Sequence, residues 1–277
     1  MDARKLDKYG IEQMALKMRH RILEMSLRCE GPTHLGGGLS LVEIMAVLYG
    51  AVMNIRPDDP HWDDRDRFIL SKGHGVLALY TALAEVGLIG EEEFKTFKEN
   101  DSNLISHPVM NLDLGIESSN GSLGQGLSMA VGLAWAARRK AKTHSIYVVM
   151  GDGECNEGSV WEAAMSATQF QLGNLVAVVD NNNFQSDGAS EEIISASDLS
   201  SKWRSFGWNV VDVDGHNVEQ LLKSLGTLRV DTMPTCVVAH TTKGKGIDFM
   251  ENNNEWHHNR LTQASYEKAI ASLEGRD

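Results

Sequence analysis

Four apolar runs, at residues 145–150, 175–179, 208–213 and 235–240, are separated by stretches long enough for helices. This alternation constrains the chain more than any other feature. Residues 159–170 and 218–225 carry helical spacing between the runs. Strands that feed a helix and return parallel to themselves make right-handed crossovers. The spacing therefore predicts an α/β fold with a mostly parallel sheet and helices on both faces. Upstream, Ile11, Met14, Met18, Ile22 and Met25 put one apolar stripe on a helix over 11–27. Ser40 and Glu43 read as a capping box opening a helix from Leu41 to about Met53. The glycine-rich run 31–38 then reads as a loop between those two helices. Phe68-Ile69-Leu70 is a short apolar run, and further helical patterns cover 76–86, 127–142 and a terminal stretch around Tyr266, Ile270 and Leu273. No internal repeat or linker-like shift interrupts the 277 residues, so 1–277 reads as one domain.

Charge narrows the choice of partners. Lys and Arg number 26 against 38 Asp and Glu, a net charge of −12, which opposes capture of nucleic acid or an anionic membrane. The one basic cluster, Arg138, Arg139, Lys140 and Lys142, falls at a predicted helix end, where cations complement the helix dipole. Cys29, Cys155 and Cys236 lack metal-ligand spacing and read as reduced thiols. The opening Met1-Asp2-Ala3-Arg4-Lys5 leads into an amphipathic stretch rather than an apolar leader, and no run of 18 apolar residues follows. The expected location is cytoplasmic.

In open parallel sheets, ligands bind at the carboxyl ends of strands, where helix N-termini present free N–H groups. Asp152, within Gly151-Asp152-Gly153, and Asn182, within Asn181-Asn182-Asn183, follow predicted strands one crossover apart. A carboxylate and an amide oxygen suit a hard cation such as Mg2+, with the Phe184 carbonyl a third donor and a diphosphate and water completing the shell. Each segment by itself also reads as a polar turn, but the pairing at crossover spacing favours the metal. Gly121-Ser122-Leu123-Gly124-Gln125-Gly126 precedes a helix and suits backbone approach to a phosphate. Its glycine order differs from the dinucleotide fingerprint, and no convincing strand precedes it, which disfavours a nucleotide-dependent oxidoreductase.

At these residues the chain resembles the N-terminal, diphosphate-binding half of transketolases. Gly151-Asp152-Gly153 followed by Asn181-Asn182 looks like the thiamine diphosphate motif. The segments Trp62-Asp63-Asp64-Arg65-Asp66-Arg67-Phe68, Ser71-Lys72-Gly73-His74-Gly75, Gly121 to Gly126 and Gly151 to Gly158 occur in the family's order and approximate spacing. The resemblance implies that Asp152, Asn182 and the Phe184 carbonyl bind Mg2+, or another divalent cation such as Ca2+ or Mn2+. It implies that His74, Gly121, Ser122, Leu123, Gly153 and His257 line the thiamine diphosphate or the adjacent channel. His34, His107 and His257 match histidines at the reacting carbonyl and hydroxyls, with His258 the alternative to its neighbour. Glu157 matches a carboxylate in a network linking paired sites. Leu35 stands where many members have proline after the histidine. Lys243 and Lys245 lie in a glycine-rich turn, where a phosphate clamp or no role fits equally.

The resemblance also implies what a partner would bring. In transketolases the carboxylate that activates the cofactor's pyrimidine belongs to a second domain. The expectation is thus the N-terminal subunit of a split transketolase, transferring a two-carbon ketol unit from a ketose to an aldose. A C-terminal subunit would carry the pyrimidine-binding domain and most sugar-phosphate contacts in an α2β2 assembly. Two other readings share the Asp152 and Asn182 pair. One is the diphosphate-binding subunit of another thiamine enzyme, of the 2-oxo acid dehydrogenase or deoxyxylulose-phosphate synthase type. The other is a noncatalytic thiamine diphosphate-binding protein. The loops bearing His34, His74 and His107 favour sugar chemistry.

Overall fold

The computed structural model describes residues 5–195, 198–227 and 232–275. The opening Met1-Asp2-Ala3-Arg4 lies outside the described residues. In chain order the helices are α1 (Lys8–Arg28), α2 (Leu35–Leu39), α3 (Val42–Val47), α4 (Val76–Glu85), α5 (Glu91–Phe94), α6 (Gly126–Arg139), α7 (Gly158–Gln169), α8 (Ser190–Ile193), α9 (Leu199–Ser205), α10 (Val218–Thr227) and α11 (Gln263–Glu274). The strands are β1 (Pro32–Thr33), β2 (Arg67–Leu70), β3 (Ile146–Gly151), β4 (Leu175–Asn181), β5 (Asn209–Asp214), β6 (Thr235–His240) and β7 (Asn259–Arg260).

Strands β2 to β6 form one parallel sheet in the order β2-β3-β4-β6-β5. Period-two alternation sends successive side chains of each strand to opposite faces. Tyr147, Val149, Val176, Val178 and Val237 join a core with α1, α3, α4 and α10. Ile146, Val148, Ala177, Val179 and Val238 join a second core with α6, α7 and α9. The switch of face follows from handedness. The chain advances from β2 through β3 and β4 to β5 with α6, α7 and α9 on one face. It returns to β6 through α10 on the other, since reversing direction at constant hand requires the opposite face. The expected mostly parallel sheet with helices on both faces is what the chain adopts.

Two local expectations are corrected. The glycine run is not wholly a loop: Leu35–Leu39 forms buried α2. Glycine is needed there because neighbours crowd each Cβ position, with Lys243 and the Trp256 carbonyl at 3.0 Å from that of Gly36 and the His74 ring at 3.2 Å from that of Gly37. Nor do Ser40 and Glu43 form a capping box. The Ser40 hydroxyl donates to Gly37 O and to Asp180, while Glu43 pairs with Arg19 and His216. The antiparallel pair β1 and β7, too short to leave a periodic signal, joins the start of the glycine run to the C-terminal region.

Trp203 is fully buried against Trp161 and Trp208, with ring centroids at 5.2 and 4.8 Å. Removing it empties the middle of the second core. Trp203→Ala is expected to cost about 3–5 kcal/mol of unfolding free energy in a urea titration.

Candidate functional site

A cavity of about 340 Å³ opens at the carboxyl ends of β3 and β4. Its walls include His74, Leu123, Asp152, Gly153, Glu157, Asn182, Phe184 and His257, all singled out from the sequence, and also Gly37, Lys72, Glu154 and Lys243. Gly121 and Ser122 are exposed beside it, and a Cβ on Gly121 would meet the His107 ring at 3.5 Å. A larger hollow of about 520 Å³, between α1 and the turn around Tyr49 and Met53, carries none of these groups.

Parallel pairing sets Gly151 opposite Asp180, so Asp152 and Asn182 leave adjacent strands toward the same cavity. Asp152 is 2% exposed, and Ser190 Oγ donates to its Oδ2 at 2.8 Å. Burial, with a smaller push from the charge of Asp180, raises its carboxyl above the usual range. Asn182 Oδ1 accepts from Phe184 N–H at 3.1 Å, turning the chain through the left-handed Asn183 and bringing Phe184 to the cavity. A buried carboxyl with a raised proton affinity gains from a cation, and a carboxylate, an amide oxygen and a main-chain carbonyl are hard donors. These residues therefore fit a divalent ion. Among the described residues no three His, Cys, Asp or Glu side chains gather as a metal site, so ligand oxygens would have to complete the shell.

Beneath this corner lies Asp180, fully buried. It accepts from Lys72 Nζ, from Ser40 Oγ at 2.7 Å, from Asn182 Nδ2 at 3.1 Å and from Thr241 Oγ1. Burial works to raise its carboxyl, but the Lys72 charge and the hydroxyl donors outweigh it and hold the group below the ordinary range. Glu154, also buried, accepts from Ser71 Oγ, from Gly124 N–H at 2.9 Å and from Gly151 N–H at 3.1 Å. It thereby ties the 121–126 loop to the end of β3. Gly126 must lack a side chain, because a Cβ would lie 2.3 Å from Ser71 Oγ.

Lys243 has its ammonium inside the site, donating to Gln185 O at 3.2 Å, Asn254 Oδ1 at 2.7 Å and His257 Nδ1 at 2.9 Å. Burial, then the charge of Lys72, pulls it down to about 8. Its loop is anchored through Thr242, whose N–H donates to His216 Nε2 at 2.8 Å. His216 Nδ1 in turn donates to Glu43 at 2.9 Å, and Arg19 pairs with the same carboxylate at 2.6 Å. Burial alone would raise Glu43, but Arg19 and His216 overcome it and hold it at about 2.

Five imidazoles meet above the cavity. The His34 ring centroid lies 5.5 Å from His74, 5.7 Å from His107, 5.5 Å from His257 and 4.4 Å from His258. Both members of the 257–258 pair thus belong to the cluster, and His257 is the one lining the cavity. Burial leads in lowering each affected ring: His34 to about 3, His257 to about 4, His74 well below its ordinary value and His107 in the same direction. Neutral imidazoles can donate at one nitrogen and accept at the other. Apart from His257, no ring of the cluster makes a hydrogen bond to the described residues, so this capacity is available to a ligand.

Two outcomes follow from these charges. Lys72→Met would strand the buried Asp180 carboxylate and is expected to cost about 3–5 kcal/mol, whereas combining it with Asp180→Asn should recover part of that loss. Denaturant unfolding of both variants checks this. Unfolded imidazoles protonate near 6.5, but His34 does so only near 3 when folded. Between those values the unfolded chain holds more protons, so this residue's contribution to stability falls as pH falls. Asp152 and Glu154, with raised carboxyls, act in the opposite sense. The readout is thus a difference: from pH 6.5 to 5, wild-type stability should change less favourably than that of His34→Gln, and parallel curves would refute a neutral His34.

A family model for the transketolase thiamine diphosphate-binding domain matches residues 13–273. The chain is 39% identical over 267 residues to one subunit of an apulose-4-phosphate transketolase from Phocaeicola vulgatus, covering 96% of this chain and 94% of that one. It is 42% identical over 245 residues to a 6-deoxy-6-sulfo-D-fructose transketolase subunit from a Clostridium species, covering 88% and 89%. The transketolase of Leishmania mexicana superposes with a TM-score of 0.88 at 28% identity, over 95% of this chain and 41% of that longer one. In sequence and in fold alike, the chain belongs to the transketolase family, in the part of it that binds thiamine diphosphate.

Proposed function

We propose that this chain is the diphosphate-binding subunit of a two-subunit transketolase, a transferase that moves a two-carbon ketol unit from a ketose to an aldose. The observation that carries the reading is that a cluster of neutral imidazoles opens onto the same cavity as Asp152, Asn182 and the Phe184 carbonyl. Thiamine diphosphate, when bound, supplies a carbanion and holds the electron pair released on cleavage beside the carbonyl. The chain's own residues bind and orient. Asp152, Asn182 and the Phe184 carbonyl hold Mg2+ or a similar ion. His74, the backbone of Gly121, Ser122, Leu123 and Gly153, and the Lys243 ammonium face the diphosphate. His34, His107 and His257 donate to and accept from the sugar's carbonyl and hydroxyls, which neutral rings can do at ordinary pH.

The relatives carry in their names sugars that end in a phosphate or a sulfo group, and anionic sugars are the proposed substrates here. The reading takes residues 1–277 as one domain and places the pyrimidine site on a partner chain, in an α2β2 assembly, with Glu157 at the entrance to α7 linking paired sites. An apolar contact is supported by α6 and the end of α7, where Met129, Trp135, Met165 and Phe170 are exposed. A cytoplasmic location is supported by three free cysteines.

Calorimetry on the purified chain should show thiamine diphosphate binding that depends on Mg2+, and Asp152→Asn should abolish that dependence. Ketol transfer should appear only when the partner chain is added. Turnover by this chain alone, or metal-independent binding, would refute the reading.

A further inference from the structure

We infer that Lys98 and His258 form a subsite at the mouth of the histidine cluster that binds the anionic end of the sugar from this chain. The inference rests on the proposed transketolase reading and adds to it which residues select the substrate. The pairing of β1 with β7 sets Thr33 opposite Asn259, and in antiparallel register this brings His34 opposite His258. Their rings are accordingly 4.4 Å apart. His258 is the exposed member of the cluster, and neither of its ring nitrogens has a hydrogen-bond partner among the described residues. Both ring nitrogens are therefore available to a ligand.

Lys98 is fixed against the same strand. It occupies the left-handed region, with φ 63°, and its N–H donates to Leu104 O at 2.8 Å. Its Nζ donates to Pro32 O at 2.9 Å, two residues before His34. That bond uses one of three ammonium protons and brings no carboxylate to neutralise the charge. The side chain passes close to Gly31, whose Cβ position lies 3.0 Å from Lys98 Nζ. An exposed Arg260 stands opposite Pro32 in the β1 and β7 ladder.

Electrostatics point the same way. The charged and titratable groups that act on His34 are His258, His257, His107 and Lys98, and every one is basic. The same holds for His107 and His257. In a chain with a net charge of −12, the Lys98 ammonium beside these imidazole donors is a local reversal that favours an anion. A phosphate or sulfonate carried at the far end of a sugar would meet these donors while the histidines hold the hydroxyls.

The test uses the full chain with D-ribose 5-phosphate, D-ribose and inorganic phosphate as probes, read by calorimetry and by histidine-ring NMR shifts. Ribose 5-phosphate should bind at least about tenfold more tightly than ribose, as one charge-assisted hydrogen bond implies. Lys98→Met and His258→Ala should each reduce that ratio severalfold, Lys98→Arg should retain it, and the double variant should bring the two sugars to about equal affinity. Equal affinities in the wild type, a ratio that survives the double variant, or inorganic phosphate binding as tightly as ribose 5-phosphate would each overturn the inference. Titration of the same proteins with thiamine diphosphate and Mg2+ reports separately on the proposed function. Cofactor binding without phosphate preference defeats the subsite alone. Phosphate preference without cofactor binding defeats the proposed function and leaves the subsite standing.

Discussion

A single buried carboxylate organises the carboxyl edge of this sheet. Asp180 has no exposure to solvent, and the segments that meet on it come from the end of α2, the turn after β2, the exit of β4 and the exit of β6. Burying a lone charge is prohibitive, so the arrangement persists only while the Lys72 ammonium and the neutral donors are all in place. Each of those donors is itself fixed by the contact. Asn182 is turned by it toward the cavity, and Ser40 pins the glycine helix whose Gly36 and Gly37 border Lys243 and His74.

Around that anchor the site divides into two electrical regions. Below, Asp152 and Glu154 are acids with raised carboxyls, in surroundings that favour a positive ion or a proton. Above, His34 and His257 are held neutral mainly by burial, with basic neighbours adding to the effect. A ligand with a diphosphate bridged by a cation at one end and polyol hydroxyls at the other matches both regions at once. Lys243 sits between them, bonded to His257 and lining the same cavity as Asp152.

How much of this was legible in the sequence depended on the range of the forces involved. The apolar runs of the sheet stand out because burial on both faces demands them, and residues 235–240 read from sequence coincide with β6. The Asp152 and Asn182 pair was visible because crossover length fixes neighbouring strand ends. The inner helix α2 was not, because glycines lower local helix propensity and the reason for them, the passage of Lys243 and His74, lies far along the chain. Ser40 and Glu43 carried a local capping signature that was overridden by partners at Asp180 and at Arg19 and His216. Lys72 and Lys243 lie in glycine-containing loops, yet nothing local distinguishes a buried lysine from a solvated one. The juxtaposition of His34 and His258 depends on a two-residue ladder with no periodicity to read.

The link from Glu43 through His216 to Thr242 restricts the variation that position 216 can accept. Because the backbone N–H of Thr242 donates to Nε2 while Nδ1 faces the carboxylate, the ring's proton must reside on Nδ1. A replacement there has to offer a donor on one side and a lone pair on the other, across the width of a ring, a demand that apolar and cationic side chains fail and that an amide can meet. Divergent descendants of this chain that carry neither the imidazole nor such a stand-in should therefore have rebuilt the α3 carboxylate or the lysine-bearing loop in the same step.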